Sequence, residues 1–233
     1  MVASFISENI AEIRERISLS SKKSNRKPKD VKLMGVSKYH TLEMMVAASD
    51  FIDIIGENRV QDAQKKFSNW PRENETPWHL IGHLQRNKVR KAIKIFNLIE
   101  SVDTLDLAEA IDRAAIEFAI PKYPIFIEIN MSGEDTKIGI QPGKAEELLE
   151  GILEKCSRIS IEGLMTIAPN VTNLSSIRKS FEGLRERRNL FRSRLGLELP
   201  ELSMGMSGDY EIAIEEGSTI VRLGTAIFTQ REN

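Results

Sequence analysis

The chain has 233 residues, of which 41% are apolar, with a formal net charge of −1 and a single cysteine, Cys156. That length and apolar content suit one large α/β core, the near-neutral charge argues against a general polyanion binder, and one cysteine excludes an internal disulfide or a cysteine-rich zinc module. No apolar run approaches a membrane span, and the N-terminal residues lack a basic stretch followed by an apolar one. The expectation is a reduced, soluble, cytoplasmic protein with residues 1–233 forming one domain.

Ile6, Ile10, Ile13 and Ile17 recur at helical spacing and predict an amphipathic helix over residues 3 to about 20. A basic, Ser- and Pro-containing connection follows. Residues 31–38, Val-Lys-Leu-Met-Gly-Val-Ser-Lys, read as a buried strand that ends on Lys38. From there the pattern alternates. Thr41 caps a helix through Asp50, and strands follow at residues 53–58, 78–84, 98–102, 123–130, 159–167, 202–207 and 218–228. Helices fill the intervals at 59–68, 85–96, 103 to about 119, 141–155, 173–195 and 209–216, with a loop across Pro71–Pro77. Eight strands, each but the last followed by a helix, imply a parallel sheet with right-handed crossovers. At this length that is a single (β/α)8 TIM barrel with an extra N-terminal helix. Neither G-x-G-x-x-G nor a P-loop pattern occurs.

On such a barrel the functional groups gather at the carboxyl ends of the strands. Lys38 sits at one of them. It is either a side chain that snorkels to water as the strand leaves the core or an amine able to form an imine with a carbonyl. The last two units carry a phosphate pattern. Gly205, Gly208 and Gly224 allow close backbone approach to an anion, while Ser207 and Thr225 add hydroxyls. Arg222 shares a strand face with Gly224. An arginine inside a barrel stays charged and needs a partner. That partner is either Glu128 or another carboxylate, or a ring nitrogen of a ligand. An imine-forming lysine, a phosphate cradle and a donor for a pyridine nitrogen are together the protein parts of a pyridoxal 5′-phosphate (PLP) site.

Several separated motifs carry a family resemblance: Val36-Ser-Lys38, Gly56-Glu-Asn-Arg-Val-Gln61, Trp78-His-Leu-Ile-Gly-His-Leu-Gln-Arg-Asn-Lys88, Gly163-Leu-Met-Thr166, Leu202-Ser-Met-Gly-Met-Ser207 and Gly217-Ser-Thr-Ile-Val-Arg-Leu-Gly-Thr-Ala-Ile-Phe228. In this order they resemble the pyridoxal phosphate homeostasis proteins, which are themselves similar to the N-terminal barrel domain of alanine racemase. The resemblance implies PLP as cofactor, with Lys38 as the Schiff-base lysine. It implies Arg222 facing the pyridine nitrogen and Ser207, Gly224 and Thr225 around the phosphate. Asn58 and His79 match positions that line or support the pocket. Arg59 stands where a tyrosine is common in the family, and Thr229 where a glycine usually follows.

The same resemblance points to binding rather than turnover. An arginine beside the ring nitrogen donates hydrogen bonds and cannot supply the nitrogen with a proton readily, which weakens the ring as an electron sink. Alanine racemase adds a tyrosine from a second domain, and Tyr39, Tyr123 and Tyr210 match nothing in that role. The expected function is therefore a monomeric PLP carrier in vitamin B6 and amino-acid homeostasis, serving PLP-dependent apoenzymes. An amino-acid racemase is the alternative, and a barrel enzyme with Lys38 as an aldolase-type lysine is a third reading. His79 and His83 would lie about 13 Å apart along a strand, which disfavours a zinc site. The row Arg86, Lys88, Arg90, Lys91 and Lys94 reads as an outer helix face rather than a nucleic-acid surface.

Overall fold

The computed structural model describes residues 2–71, 75–134 and 138–230, so part of the loop expected across Pro71–Pro77 lies outside the described residues. Eight parallel strands close into a barrel in sequence order. They are β1 (Lys32–Val36), β2 (Ile54–Glu57), β3 (Trp78–Leu80), β4 (Leu98–Val102), β5 (Tyr123–Glu128), β6 (Ile159–Met165), β7 (Glu201–Ser203) and β8 (Ile220–Leu223). Closure is direct, with Lys32 of β1 in register with Ile220 of β8 and Gly35 with Leu223. Around the barrel run α1 (Val2–Lys23), α2 (Leu42–Ser49), α3 (Val60–Phe67), α4 (Val89–Ala92), α5 (Leu105–Glu117), α6 (Ala145–Lys155), α7 (Leu174–Leu195), α8 (Tyr210–Glu215) and α9 (Thr225–Phe228).

The period-two pattern of β1 sorts its side chains between two cores. Leu33 joins the layer between sheet and helices, whereas Met34 and Val36 join an inner cluster with Ile54, Leu98, Phe126, Met165 and Ile220. Gly56 on β2 is needed at that inner face, because a Cβ there would sit 2.5 Å from Met34 Sδ. Local signals start the helices. Thr41 and Thr104 accept from the backbone N–H of Met44 and Leu107, and Asn173 accepts from Ser175 and Ser176.

The N-terminal helix is not an appendage. Ile6, Ile10, Ile13 and Ile17 are all buried, and α1 packs on α2, α8 and α9. It thus fills the place in the outer ring beside β8. Burying those four side chains contributes about 1.5–3 kcal/mol each before the entropy of ordering the helix is subtracted. Asn9 adds a direct tie, its Nδ2 donating to the carbonyls of Ile227 and Thr229 at 3.0 and 3.2 Å.

Three elements differ from expectation. The seventh strand stops at Ser203; Met204 and Gly205 still bond to Ile220 and Arg222 of β8, and the chain turns away at Gly205, whose φ is 96°. The eighth stops at Leu223, and the apolar run Thr225–Phe228 is helical, with Ile227 and Phe228 buried. All eight strands are therefore followed by a helix. The basic helix expected over 85–96 is one 3-10 turn, Arg86–Lys88, and the short α4, since Asn97 must return to pair with Trp78 at the start of β3. Its basic side chains turn towards α5: Arg86 meets Asp106 at 3.0 Å, Arg90 pairs with Glu117, and Lys94 lies over the Phe118 ring. Among the described residues no helix is long and apolar enough to cross a membrane, and no cluster of His, Cys, Asp or Glu is placed to hold a metal.

Candidate cofactor site at the carboxyl end of the barrel

A cavity of about 320 Å³ opens at the carboxyl ends of the strands. Val36, Ile81 and Met165 form apolar wall, and Lys38, Asn58, Ser207, Arg222, Gly224 and Thr225 bring polar groups to it. Six of the seven cofactor-site residues expected from the sequence thus meet in one place. His79 does not. It occupies the inward row of β3 one layer below Ile81, and Ile81 takes the position at the cavity wall. The His79 ring is buried against Phe126 and borders a separate hollow of about 480 Å³ at the opposite mouth of the barrel.

Lys38 lies two residues past the end of β1 on an exposed stretch. The residue before it is bolted from behind. The Ser37 hydroxyl donates to Glu57 Oε1 at 2.8 Å, and the Lys66 ammonium of α3 donates both to that oxygen at 2.6 Å and to the Ser37 carbonyl at 2.7 Å. Glu57 is fully buried, so Lys66 supplies its counter-charge. Neighbouring residues on a strand point to opposite faces. Anchoring Ser37 and Glu57 outside the barrel therefore directs Lys38 and Asn58 to the cavity side. Asn58 is reached closely by the β3 loop, where a Cβ on Gly82 would sit 2.3 Å from the Asn58 carbonyl oxygen.

Ser207 Oγ accepts from the Thr225 hydroxyl at 3.2 Å and from the Ala226 N–H at 3.4 Å. Two loops are thereby joined at the cavity edge. Of the three glycines expected to cradle an anion, two border the cavity and one does not. A Cβ on Gly208 would meet nothing within 4 Å, so that backbone faces open space, while a Cβ on Gly224 would come 3.2 Å from the Val36 carbonyl. Gly205 is instead a packing and turn residue, because a Cβ there would strike Ala213 and Tyr210 of α8.

Arg222 is 4% exposed. Its Nη1 donates to Ser203 Oγ at 2.8 Å and its Nη2 to the Thr166 carbonyl at 2.7 Å. Among the described residues Arg222 makes no direct contact with Glu128 or any other carboxylate. The nearest bonded acid is Glu100, reached through the Ser203 hydroxyl. Burial pushes the guanidinium down from its ordinary value, and the charges of Glu100, Glu128 and Asp209 oppose that. Burial likewise pushes the Glu128 carboxyl up to about 7; Asp103 and Glu100 add repulsion while Arg222 works against them. Glu100 and Ser203 are not among the site residues expected from the sequence; the one signal for Glu100 is a carboxylate in the middle of an otherwise buried strand.

The sequence model described as "Alanine racemase, N-terminal domain" matches residues 8–232. The chain belongs to the alanine racemase N-terminal domain family. Within that family it is 38% identical over 226 residues to the pyridoxal phosphate homeostasis protein of Aquifex aeolicus, covering 97% of this chain and 98% of the relative. It is 35% identical to PipY of Synechococcus elongatus PCC7942, whose structure was solved with PLP bound. That superposition has a TM-score of 0.78 and covers 93% of this chain and 99% of PipY. Alanine racemase of Clostridium difficile 630 shares the fold at 18% identity and a TM-score of 0.76. The match covers 99% of this chain and 60% of the racemase.

Proposed function

We propose that this protein binds pyridoxal 5′-phosphate at the carboxyl end of the barrel, attached to Lys38, and acts as a carrier in vitamin B6 and amino-acid homeostasis. The observation that carries this reading is the convergence, on one cavity, of an amine (Lys38), a buried guanidinium (Arg222) and a hydroxyl-and-glycine edge (Ser207, Gly208, Gly224, Thr225). These three chemistries fit the three functional parts of the cofactor: its aldehyde, its ring nitrogen and its phosphate. Bound there, PLP would supply an aldehyde for covalent capture and an electron-withdrawing ring.

The protein's own groups have separate tasks. Lys38 provides the amine, and its condensation with an aldehyde releases one water. Ser207 and Thr225 offer hydroxyl donors, and Gly208 leaves room for backbone to approach an anion. Arg222 stays a donor at any ordinary pH, so it holds an acceptor nitrogen beside it without protonating it. That limits carbanion chemistry and favours storage and hand-over. The tyrosines support the same view. Tyr39 is 86% exposed, Tyr123 donates its hydroxyl to the Phe96 carbonyl inside the helix layer, and Tyr210 is buried under Arg16. None lines the cavity, where a second base for racemisation would have to stand. Our reading is of a cytoplasmic monomer that passes its cofactor to PLP-dependent apoenzymes.

The test is an absorbance spectrum of PLP-loaded protein before and after borohydride reduction, followed by mapping of the modified lysine. The expected result is a visible-range band that reduction abolishes, with label on Lys38 and none in Lys38→Ala. Label confined to another lysine would overturn the assignment. Steady D/L interconversion of an amino acid that requires Lys38 would overturn the carrier reading.

A further inference from the structure

Behind Arg222 a chain of buried polar groups crosses the barrel interior. Arg222 Nη1 donates to Ser203 Oγ at 2.8 Å, Ser203 Oγ to Glu100 Oε2 at 2.5 Å, and His79 Nδ1 lies 2.8 Å from Glu100 Oε1. The four residues come from β8, β7, β4 and β3, so each strand contributes one link. Glu100 and Ser203 are fully buried, and His79 and Arg222 nearly so.

The proton bookkeeping fixes the direction of the chain. A guanidinium only donates, so Ser203 must accept from Arg222, and its single hydroxyl proton is left for Glu100. Glu100 accepts from Ser203 on Oε2, and its Oε1 meets His79 Nδ1, a contact the imidazole donates in the tautomer that carries its proton on Nδ1. Glu100 is thus the counter-charge of Arg222, separated from it by one hydroxyl. A direct Arg–Glu pair would leave the guanidinium fork turned towards the acid. The intervening hydroxyl instead uses one N–H, the Thr166 carbonyl holds another at 2.7 Å, and the guanidinium edge remains at the cavity.

We propose that Glu100, clamped by His79 and Ser203, is a positioning residue that fixes the orientation and charge of Arg222, and through it the electronic state of a pyridine ring bound in the cavity. The part concerning the ring rests on the PLP reading above. The part concerning Arg222 stands on the protein alone. This also gives His79 its place: it acts from below the cavity, three hydrogen bonds from the guanidinium, with Glu100 and Ser203 between.

The test compares wild-type protein with Glu100→Gln, which keeps shape and removes charge, and with Ser203→Ala, a smaller change that cuts the link and preserves both ends. After loading with PLP, both variants should keep covalent attachment at Lys38. Both should also show a shifted absorption maximum of the bound chromophore and about tenfold weaker cofactor retention. Loaded variants with the wild-type spectrum and retention would overturn the role of Glu100 towards the ring. A second readout needs no cofactor, namely the thermal denaturation of Arg222→Gln, Glu100→Gln and the double variant. Removing the arginine strands the buried carboxylate, so the double variant should lose clearly less stability than the two single losses added together. Additive losses would overturn the link between Glu100 and Arg222. If wild-type protein develops no visible-range band with PLP, the cofactor reading fails and this cycle alone decides the link.

Discussion

The two cations of the cavity are held in opposite ways. Lys38 stands on an exposed segment past the end of β1, its ammonium over the exposed Tyr39 ring, and the buried ties are made by its neighbour Ser37, to Glu57 and Lys66 behind the sheet. Arg222 is inside the barrel with its guanidinium itself bonded, to Ser203 and Thr166. On the proposed reading, the group that captures an aldehyde has an exposed side chain on a fixed backbone. A group that must present one unchanging charge is locked at its tip. The cavity therefore has an exposed rim and a bonded floor, with a different buried glutamate behind each: Glu57, paired with Lys66, and Glu100, linked to Arg222 through Ser203.

The largest expected effect tests the rim. Lys66→Met would leave Glu57 buried without its cation and release the Ser37 carbonyl. We expect a loss of about 3 kcal/mol in denaturant titration together with slower borohydride-trapped labelling of Lys38. Lost stability with unchanged labelling would show that the tie braces the fold and does not orient the lysine.

The floor makes the next prediction, through pH. The Glu128 carboxyl sits at about 7 in the fold against an ordinary 4.5, so the native state favours its protonated form. Its stabilising contribution is complete below about pH 4.5 and is lost as pH rises to 7. Glu128→Gln should remove that slope, leaving stability at pH 4 unchanged and raising it at pH 8 by roughly 1–3 kcal/mol. Parallel stability–pH curves for the two proteins would show that the carboxyl is ionised at no cost beside Arg222.

The smallest effect returns to the rim. A Cβ at Gly208 meets no protein atom within 4 Å, so Gly208→Ala should shift the melting temperature negligibly. The added methyl enters the space assigned to the phosphate, and PLP retention should fall about tenfold, or ~1.4 kcal/mol. Unchanged retention would move the phosphate away from this loop.

Rim and floor also differ in how well they could be read from the sequence. The barrel was legible because strand and helix periods alternate without interruption, and Lys38, Asn58, Ser207, Gly224 and Thr225 follow strand ends, where position along the chain is enough. The floor depends on which inward side chains from different strands meet, and that is set by register. Glu100 and Ser203 lie more than a hundred residues apart and come together only because the barrel closes. Whether His79 lines the pocket or supports it from beneath depends on the same register, and the short β3 gives the cavity wall to Ile81. The run at 225–228 reads as a continuation of the strand because a helix of four residues, with only Ile227 and Phe228 buried, leaves no periodicity to detect.

The junction of α1 with α9 has a consequence for how the protein is made. Asn9 holds the carbonyls of Ile227 and Thr229, and β1 pairs with β8. Ser207, Arg222, Gly224 and Thr225 follow or belong to the last two strands of the barrel, and the lysine they face follows the first. Until those late residues emerge, β1 has an unpaired edge and α1 an uncovered apolar stripe. Contacts of such long sequence separation form late and slowly. A chain translated only as far as β7 therefore cannot assemble this cavity, which waits on β8 and α9 to close the barrel.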